Sequence, residues 1–128
     1  MEKGFMMKSY RDELNDDDMN FFERMITVPS WGARRSYYKI LKDRESEQFI
    51  RFIAIYKTVR PLLLDRLSKR ELFILDEFYG LIKASTPINQ LASTLCISRN
   101  RVIQVRNNAE RKIRRVFHEE KRKKPHQI

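Results

Sequence analysis

The chain of 128 residues is poor in cysteine (one), histidine (two), glycine (three) and proline (four), and it has no apolar run of membrane-spanning length. One cysteine excludes an internal disulfide and fits a reducing cytoplasm, with Cys96 expected as a small buried residue in a turn rather than a redox centre. The lack of a long apolar run excludes a transmembrane helix, so no membrane partner is expected. Met1-Glu2-Lys3-Gly4 is not followed by the apolar core of an export signal. His118 and His126 sit in charged surroundings near the end, there is no Cys/His cluster with metal spacing, and no glycine-rich loop follows a strand. No metal, cofactor or catalytic residue is therefore assigned, and the expected protein is not an enzyme. Few glycines and prolines also leave long periodic segments unbroken, which predicts an all-helical chain.

What the chain has in excess is positive charge: 27 Lys and Arg against 17 Asp and Glu, a formal net charge of +10. The excess is uneven, counting +2 over residues 1–60, zero over 61–95 and +8 over 96–128. A patch of this kind attracts polyanions with salt-dependent affinity, but charge alone does not separate DNA from RNA or from an acidic membrane. A hydrophobic content of 41% suffices for the core of one compact domain, or of a small one with an appendage.

The pattern predicts six helices. Asn15-Asp16-Asp17-Asp18 is an acidic start for a helix of about ten residues running toward Pro29, and helix capping accounts for these acids better than a metal does. Residues 33–59 are helix-rich, as one helix or two, with charged residues 42–48 dividing two apolar groups. Arg60-Pro61 marks a boundary, and residues 62–67 make a short turn of helix. Ser68-Lys69-Arg70-Glu71 is a capping box for the next helix. Trp31, Arg34, Arg35, Tyr37 and Tyr38 interleave aromatic and basic groups; they are read as core aromatics with solvated arginines, the alternatives being stacking on unpaired bases or docking to a protein. The run Lys121-Arg122-Lys123-Lys124 reads as a solvated, fraying helix end.

The segment around residues 86–116 carries the chemistry. Thr86-Pro87 caps a short helix whose inner face is Ile88, Leu91, Ala92 and Leu95; Cys96-Ile97-Ser98 turns the chain; and Ser98 caps a longer helix. There Val102, Val105, Ala109, Ile113 and Val116 form a narrow apolar stripe, while Asn100, Gln104, Asn107 and Arg111 fall opposite. Asn and Gln can bond bidentately to adenine and Arg to guanine, so the outer face has the chemistry of base readout in the major groove of double-stranded DNA. A short helix, a tight turn and a second helix so equipped is a helix-turn-helix.

From Leu67 to Arg115, somewhat under half of the chain, the sequence resembles region 4 of the bacterial sigma-70 family. The residues that carry the resemblance are Leu67-Ser68, Glu71, Ile74-Leu75, Tyr79-Gly80-Leu81, Ile88, Leu91-Ala92, Leu95, Ile97-Ser98-Arg99, Arg101-Val102, Gln104-Val105, Ala109 and Arg111-Lys112-Ile113-Arg114. The resemblance implies a DNA-binding helix-turn-helix that works at promoters and touches RNA polymerase; no counterpart of region 2 is present. It implies base reading by Arg99, Asn100, Arg101, Ile103 and Gln104, to which the periodicity adds Asn107. Asn100 stands where the family commonly has Glu and Ile103 where it has Arg, a difference that should change the preferred sequence, since Glu suits cytosine, Asn suits adenine and Ile offers only apolar contact. Cys96 replaces the usual turn glycine, and Asp76-Glu77-Phe78 stands where many members are basic.

Arg111, Arg114 and Arg115 continue the basic side past these positions and are expected on phosphates. In the helix from Lys69, the wheel puts Leu72, Leu75, Tyr79 and Ile82 inward, leaving Phe73 off the stripe and Ile74 and Leu81 at its margin; these are either covered by the amino-terminal half or exposed as the polymerase contact that the resemblance implies. The expected organisation is a helical region of unknown role over residues 1–60, the helix-turn-helix domain over 61–118 and a basic tail over 119–128. The expected protein is thus an all-α transcription factor of the cytoplasm of a bacterial or phage-infected cell. The alternatives are a phage-type regulator that binds DNA without polymerase, and a factor that occupies polymerase or a sigma factor.

Overall fold

The computed structural model describes residues 14–28 and 34–122, which form six helices and no strand: α1 (Asp16–Ile26), α2 (Tyr37–Ile40), α3 (Glu47–Leu63), α4 (Lys69–Tyr79), α5 (Ile88–Leu95) and α6 (Arg99–Arg122). Trp31, Lys123, Lys124 and His126 lie outside the described residues.

Side-chain caps set the starts of four helices. Asn15 accepts from the Asp18 N–H at 2.8 Å, Ser46 from Phe49 at 3.1 Å and Ser98 from Arg101 at 3.0 Å. Ser68 and Glu71 form the expected capping box, with bonds of 3.0 and 2.8 Å. Each such cap is worth about 1 kcal/mol. Thr86 behaves differently from expectation. Its hydroxyl bonds Glu77 at 3.1 Å and its N–H bonds the Glu77 carbonyl at 2.8 Å, so Pro87 becomes the N-cap of α5 and no side chain caps that helix.

Two helices end on residues with positive φ. Gly80 (φ 81°) closes α4, and the Arg44 guanidinium donates to the Gly80 and Lys83 carbonyls at 2.8 and 2.9 Å. A Cβ on Gly80 would stand 2.8 Å from the Lys83 carbonyl oxygen, a backbone atom that cannot swing aside, so this glycine is required for both its conformation and the close approach of the following loop. Cys96 (φ 58°) closes α5, with its own N–H bonded to Ser93 and that of Ile97 to Ala92, at 3.2 and 3.1 Å. Contrary to expectation Cys96 is exposed: the turn demands a left-handed residue at its outer corner, and the side chain points to solvent.

One aromatic core runs through the described residues. Phe22 of α1 stacks on Phe52 of α3 at 4.5 Å, Tyr79 of α4 meets Phe52 and Tyr56 edge-on at 5.0 and 5.1 Å, and Phe117 of α6 closes on Phe22 at 5.8 Å. Each of these rings is almost fully buried and contributes on the order of 2 kcal/mol. Helix α6 packs against α5, α4 and α1, meeting α4 through Glu110 and Lys112 at its middle and α1 through His118 and Lys121 further on.

The segment over residues 33–59 resolves into two helices, because Asp43 and Ser46 organise a turn between them before Ser46 caps α3. Pro61 is no boundary: it lies in the last turn of α3 and is itself exposed, so its missing N–H removes one helical bond close to the end of the helix. Ile82, expected inward, is 84% exposed, because α4 stops at Gly80 and the stripe ends with it. Phe78 takes its place in the core against Tyr37 and Tyr38. Ile74 is fully buried, since α4 is covered on that side as well. Glu119–Arg122 remain helical, and Lys121 is tied to Asn20 and Glu23 of α1 at 2.6 and 2.7 Å rather than fraying.

Candidate functional site

The turn formed by Cys96, Ile97 and Ser98 delivers the chain from α5 into α6, and α6 is long enough to serve two purposes along its circumference. Val102, Val105, Ala109, Ile113 and Val116 are buried, as the periodicity requires, and Arg106, Glu110 and Phe117 widen that buried face. The opposite face presents Asn100, Gln104, Asn108, Arg111 and Arg115, all exposed. Arg99 and Arg101 extend it at the amino-terminal end, and Ile103 sits half-buried at its edge.

Local hydrogen bonds hold these groups without consuming them. Arg101 Nη1 donates to Gln104 Oε1 at 3.3 Å and Arg111 Nη1 to Asn108 Oδ1 at 2.7 Å, which leaves further N–H groups of each partner outward. Asn107 is different from its expected role. It is half-buried, and its carbonyl accepts two bonds, from Arg106 Nε and Nη2 at 3.3 and 3.1 Å, so both acceptor positions are filled within the chain, whereas the amide oxygens of Gln104 and Asn108 each accept one such bond and are exposed. Asn108, one position on, has the exposure that the sequence reading gave to Asn107.

The cations of α6 sort by what they meet. Lys112 pairs with Glu71 at 3.0 Å and Lys121 with Glu23 at 2.7 Å, while His118 Nε2 lies 2.8 Å from Glu23; Arg66, in the turn between α3 and α4, pairs onto Glu119. Arg99, Arg101, Arg111 and Arg115 pair with no described carboxylate. Arg114 parts from its neighbours: it is half-buried and reaches Thr27 Oγ1 at 3.4 Å on the α1 side. Of the three arginines expected on phosphates, Arg111 and Arg115 share the outer face and Arg114 does not.

Beneath the outer face lies a polar cluster that the sequence reading missed. Tyr79 donates to Glu110 Oε2 at 2.6 Å, and Arg35 Nε lies 2.9 Å from Glu110 Oε1. The single Nε–H of Arg35 points to the Ile26 carbonyl at 3.1 Å, so its attraction to Glu110 is Coulombic rather than a hydrogen bond. The buried Tyr37 hydroxyl sits beside the same carboxylate without a well-formed bond. Arg106 donates to the Tyr38 hydroxyl at 2.6 Å and lies 5.3 Å over the Phe78 ring. Burial, the largest influence, pushes the Glu110 carboxyl above its usual range; Arg106, the Tyr79 hydroxyl and Arg35 pull it back down only in part. Burial likewise raises Tyr79 and Tyr37 far above the ordinary phenol, so both stay protonated. The available signal was the spacing of Arg106 and Glu110, four residues apart along the margin of the apolar stripe.

Tyr37 is thus core, Tyr38 is half-buried against Phe78, and Arg35 is an internal partner rather than a solvated charge. Arg34 alone among the described members of that group stays exposed, lying 4.2 Å from the centroid of the Tyr38 ring. An open cleft of about 600 Å³ separates α2 from the starts of α5 and α6, lined by Arg34, Tyr38, Lys42, Phe78, Asn89 and Arg99 among others. Of the three residues expected to touch polymerase, Ile74 is buried, Leu81 packs on the core and Phe73 is 37% exposed. Among the described residues no helix is long and apolar enough to cross a membrane, and no group of three His, Cys, Asp or Glu is placed to hold a metal. Comparison of the chain with protein-family models, with curated proteins and with solved structures finds no match, so its function is read from its own residues.

Proposed function

We propose that this chain is a sequence-specific double-stranded-DNA-binding transcription factor of the bacterial or phage-infected cytoplasm, in which α5, the turn and α6 act as a helix-turn-helix and α6 enters the major groove. The observation that carries the reading is the outer face of α6, where Asn100, Gln104, Asn108, Arg111 and Arg115 stand exposed with no described carboxylate paired to them. An ordinary solvated helix alternates acids and bases to neutralise itself; this face carries only amides and guanidinium groups, the donors and acceptors that match base edges and phosphates. Rigid seating favours readout, because side chains held by a locked helix lose little freedom on binding.

The resemblance to sigma region 4 over residues 67–115 supports the same reading and adds RNA polymerase as a partner at promoters. Of the polymerase surface it implies, Phe73 is the residue left in the open. The burial of Ile74 and the packing of Leu81 favour a second reading, a regulator that binds its operator without polymerase. Selection from a randomised duplex library by the purified protein, with and without core polymerase, tests both. An enriched motif in both arms supports the autonomous regulator, and one enriched only with polymerase supports the sigma-like role. Polymerase capture with no motif in either arm would make the chain a protein-interaction factor, and the DNA reading would fall.

A further inference from the structure

We infer that the amino-terminal half completes the DNA interface: Arg34 and Lys42 take backbone phosphates flanking the bases that face the start of α6. This rests on the reading of α6 as the recognition helix. Three cations, Arg34, Lys42 and Arg99, line one cleft, although the first two lie far from the third in sequence. All three are exposed, and none pairs with a described carboxylate. Like charges gathered around an open cleft repel one another unless an anion enters, and a run of phosphates is the anion that a recognition helix brings with it.

Two further features fit this assignment. The Arg34 guanidinium carbon lies 4.2 Å from the centroid of the Tyr38 ring, and Tyr38 itself accepts the 2.6 Å bond from Arg106 of α6. Arg34 is therefore placed by the same helix that carries the base-facing residues, which fixes its distance from them. The start of α5 opens at the cleft through Pro87, Ile88 and Asn89. Because Thr86 turns its hydroxyl to Glu77, no side chain caps that start, and the Ile88 and Asn89 N–H groups are available to a phosphate oxygen, while Gln90 and Leu91 bond the Pro87 carbonyl.

The test uses the full chain and a duplex obtained by selection, measuring affinity against salt for wild type, Lys42→Ala and the double variant Arg34→Ala/Lys42→Ala. Each lost phosphate contact is expected to lower the log–log salt slope by about 0.9, hence by about 1.8 for the double variant. The loss should be equal on selected and scrambled duplexes, since phosphate contacts carry no sequence information. Phosphate-ethylation interference should lose signals at the flank of the site and keep those within it. Lys42 is exposed and pairs with no described carboxylate, so its variant remains informative even if removal of Arg34 loosens Tyr38. Wild-type slopes in both variants, with duplex binding intact, would overturn the inference and leave the reading of α6 standing. Loss of single-stranded but not duplex binding would assign the cleft to unpaired bases and overturn it equally. Failure of the wild type to bind any duplex would remove the recognition helix and this inference together.

Discussion

The two faces of α6 differ in how their polar groups are satisfied. On the inner face Glu110 is fully enclosed with Tyr79 and Arg35 against it, and Arg106 is closed over by Tyr38 and Phe78. On the outer face Gln104, Asn108 and Arg111 bond only to one another or to a near neighbour on the same helix, and the rest of their hydrogen-bonding capacity meets solvent. One helix thus divides its labour by direction: the inner polar groups bear on folding, and the outer ones are free to bear on a partner. Substitutions should separate along the same line.

The largest effect is expected inside. Glu110→Ala leaves Arg35 facing a void in the core and should destabilise the protein by about 3–5 kcal/mol, read by denaturant unfolding. Glu110→Gln keeps the shape and should cost less, but it should also alter the pH dependence. Burial holds the native carboxyl above its unfolded value, so the native state binds more protons than the unfolded chain between those two values. Stability contributed by this group therefore falls as pH rises through that window. The glutamine variant should lack this slope, and a thermal-melt series across mildly acidic pH decides it.

Outside, the effects should appear in binding and not in stability. Gln104→Ala and Asn100→Ala are each expected to weaken binding of a selected duplex by about 1–3 kcal/mol and to relax preference at one base pair, with unfolding curves unchanged. Equal losses on selected and random duplexes would remove the base-reading role. The basic end of the face permits a sharper division. Arg111→Ala/Arg115→Ala should lower the log–log salt slope by roughly 1.8, whereas Arg114→Ala, whose side chain turns toward Thr27, should leave the slope alone. A slope that responds to Arg114 as strongly as to its neighbours would mean that α1 does not hold that residue when DNA is bound.

The smallest effect belongs to the turn that joins the faces to α5. Cys96→Gly should stabilise by about 0.5–1 kcal/mol, because glycine accepts the left-handed backbone while giving back part of the gain as unfolded-state entropy. A loss of stability would show that the cysteine side chain has a role its exposure hides.

Much of this arrangement was legible in the residues. The caps at Asn15, Ser68 and Ser98 are local chemistry, readable wherever a short polar side chain precedes an apolar period. The α6 stripe followed from spacing alone. What escaped depends on tertiary neighbours. Whether Arg106 and Glu110 face water or the core is decided by Tyr38, Tyr79 and Arg35, three residues distant in sequence that bring their own polar atoms. The burial of Ile74 follows from cover that a helical wheel does not contain, and the half-burial of Asn107 from the orientation of Arg106. Thr86 looked like a cap because the sequence does not reveal that Glu77 competes for its hydroxyl.

The most direct test of the central claim is the ratio of dissociation constants for a duplex obtained by selection and for the same duplex with its site scrambled, measured on the wild-type protein at one physiological salt concentration. Recognition by the outer face of α6 predicts a preference of roughly a thousandfold or more for the selected site. Equal affinities for the two duplexes would contradict it and leave the basic face as a nonspecific attraction for polyanions.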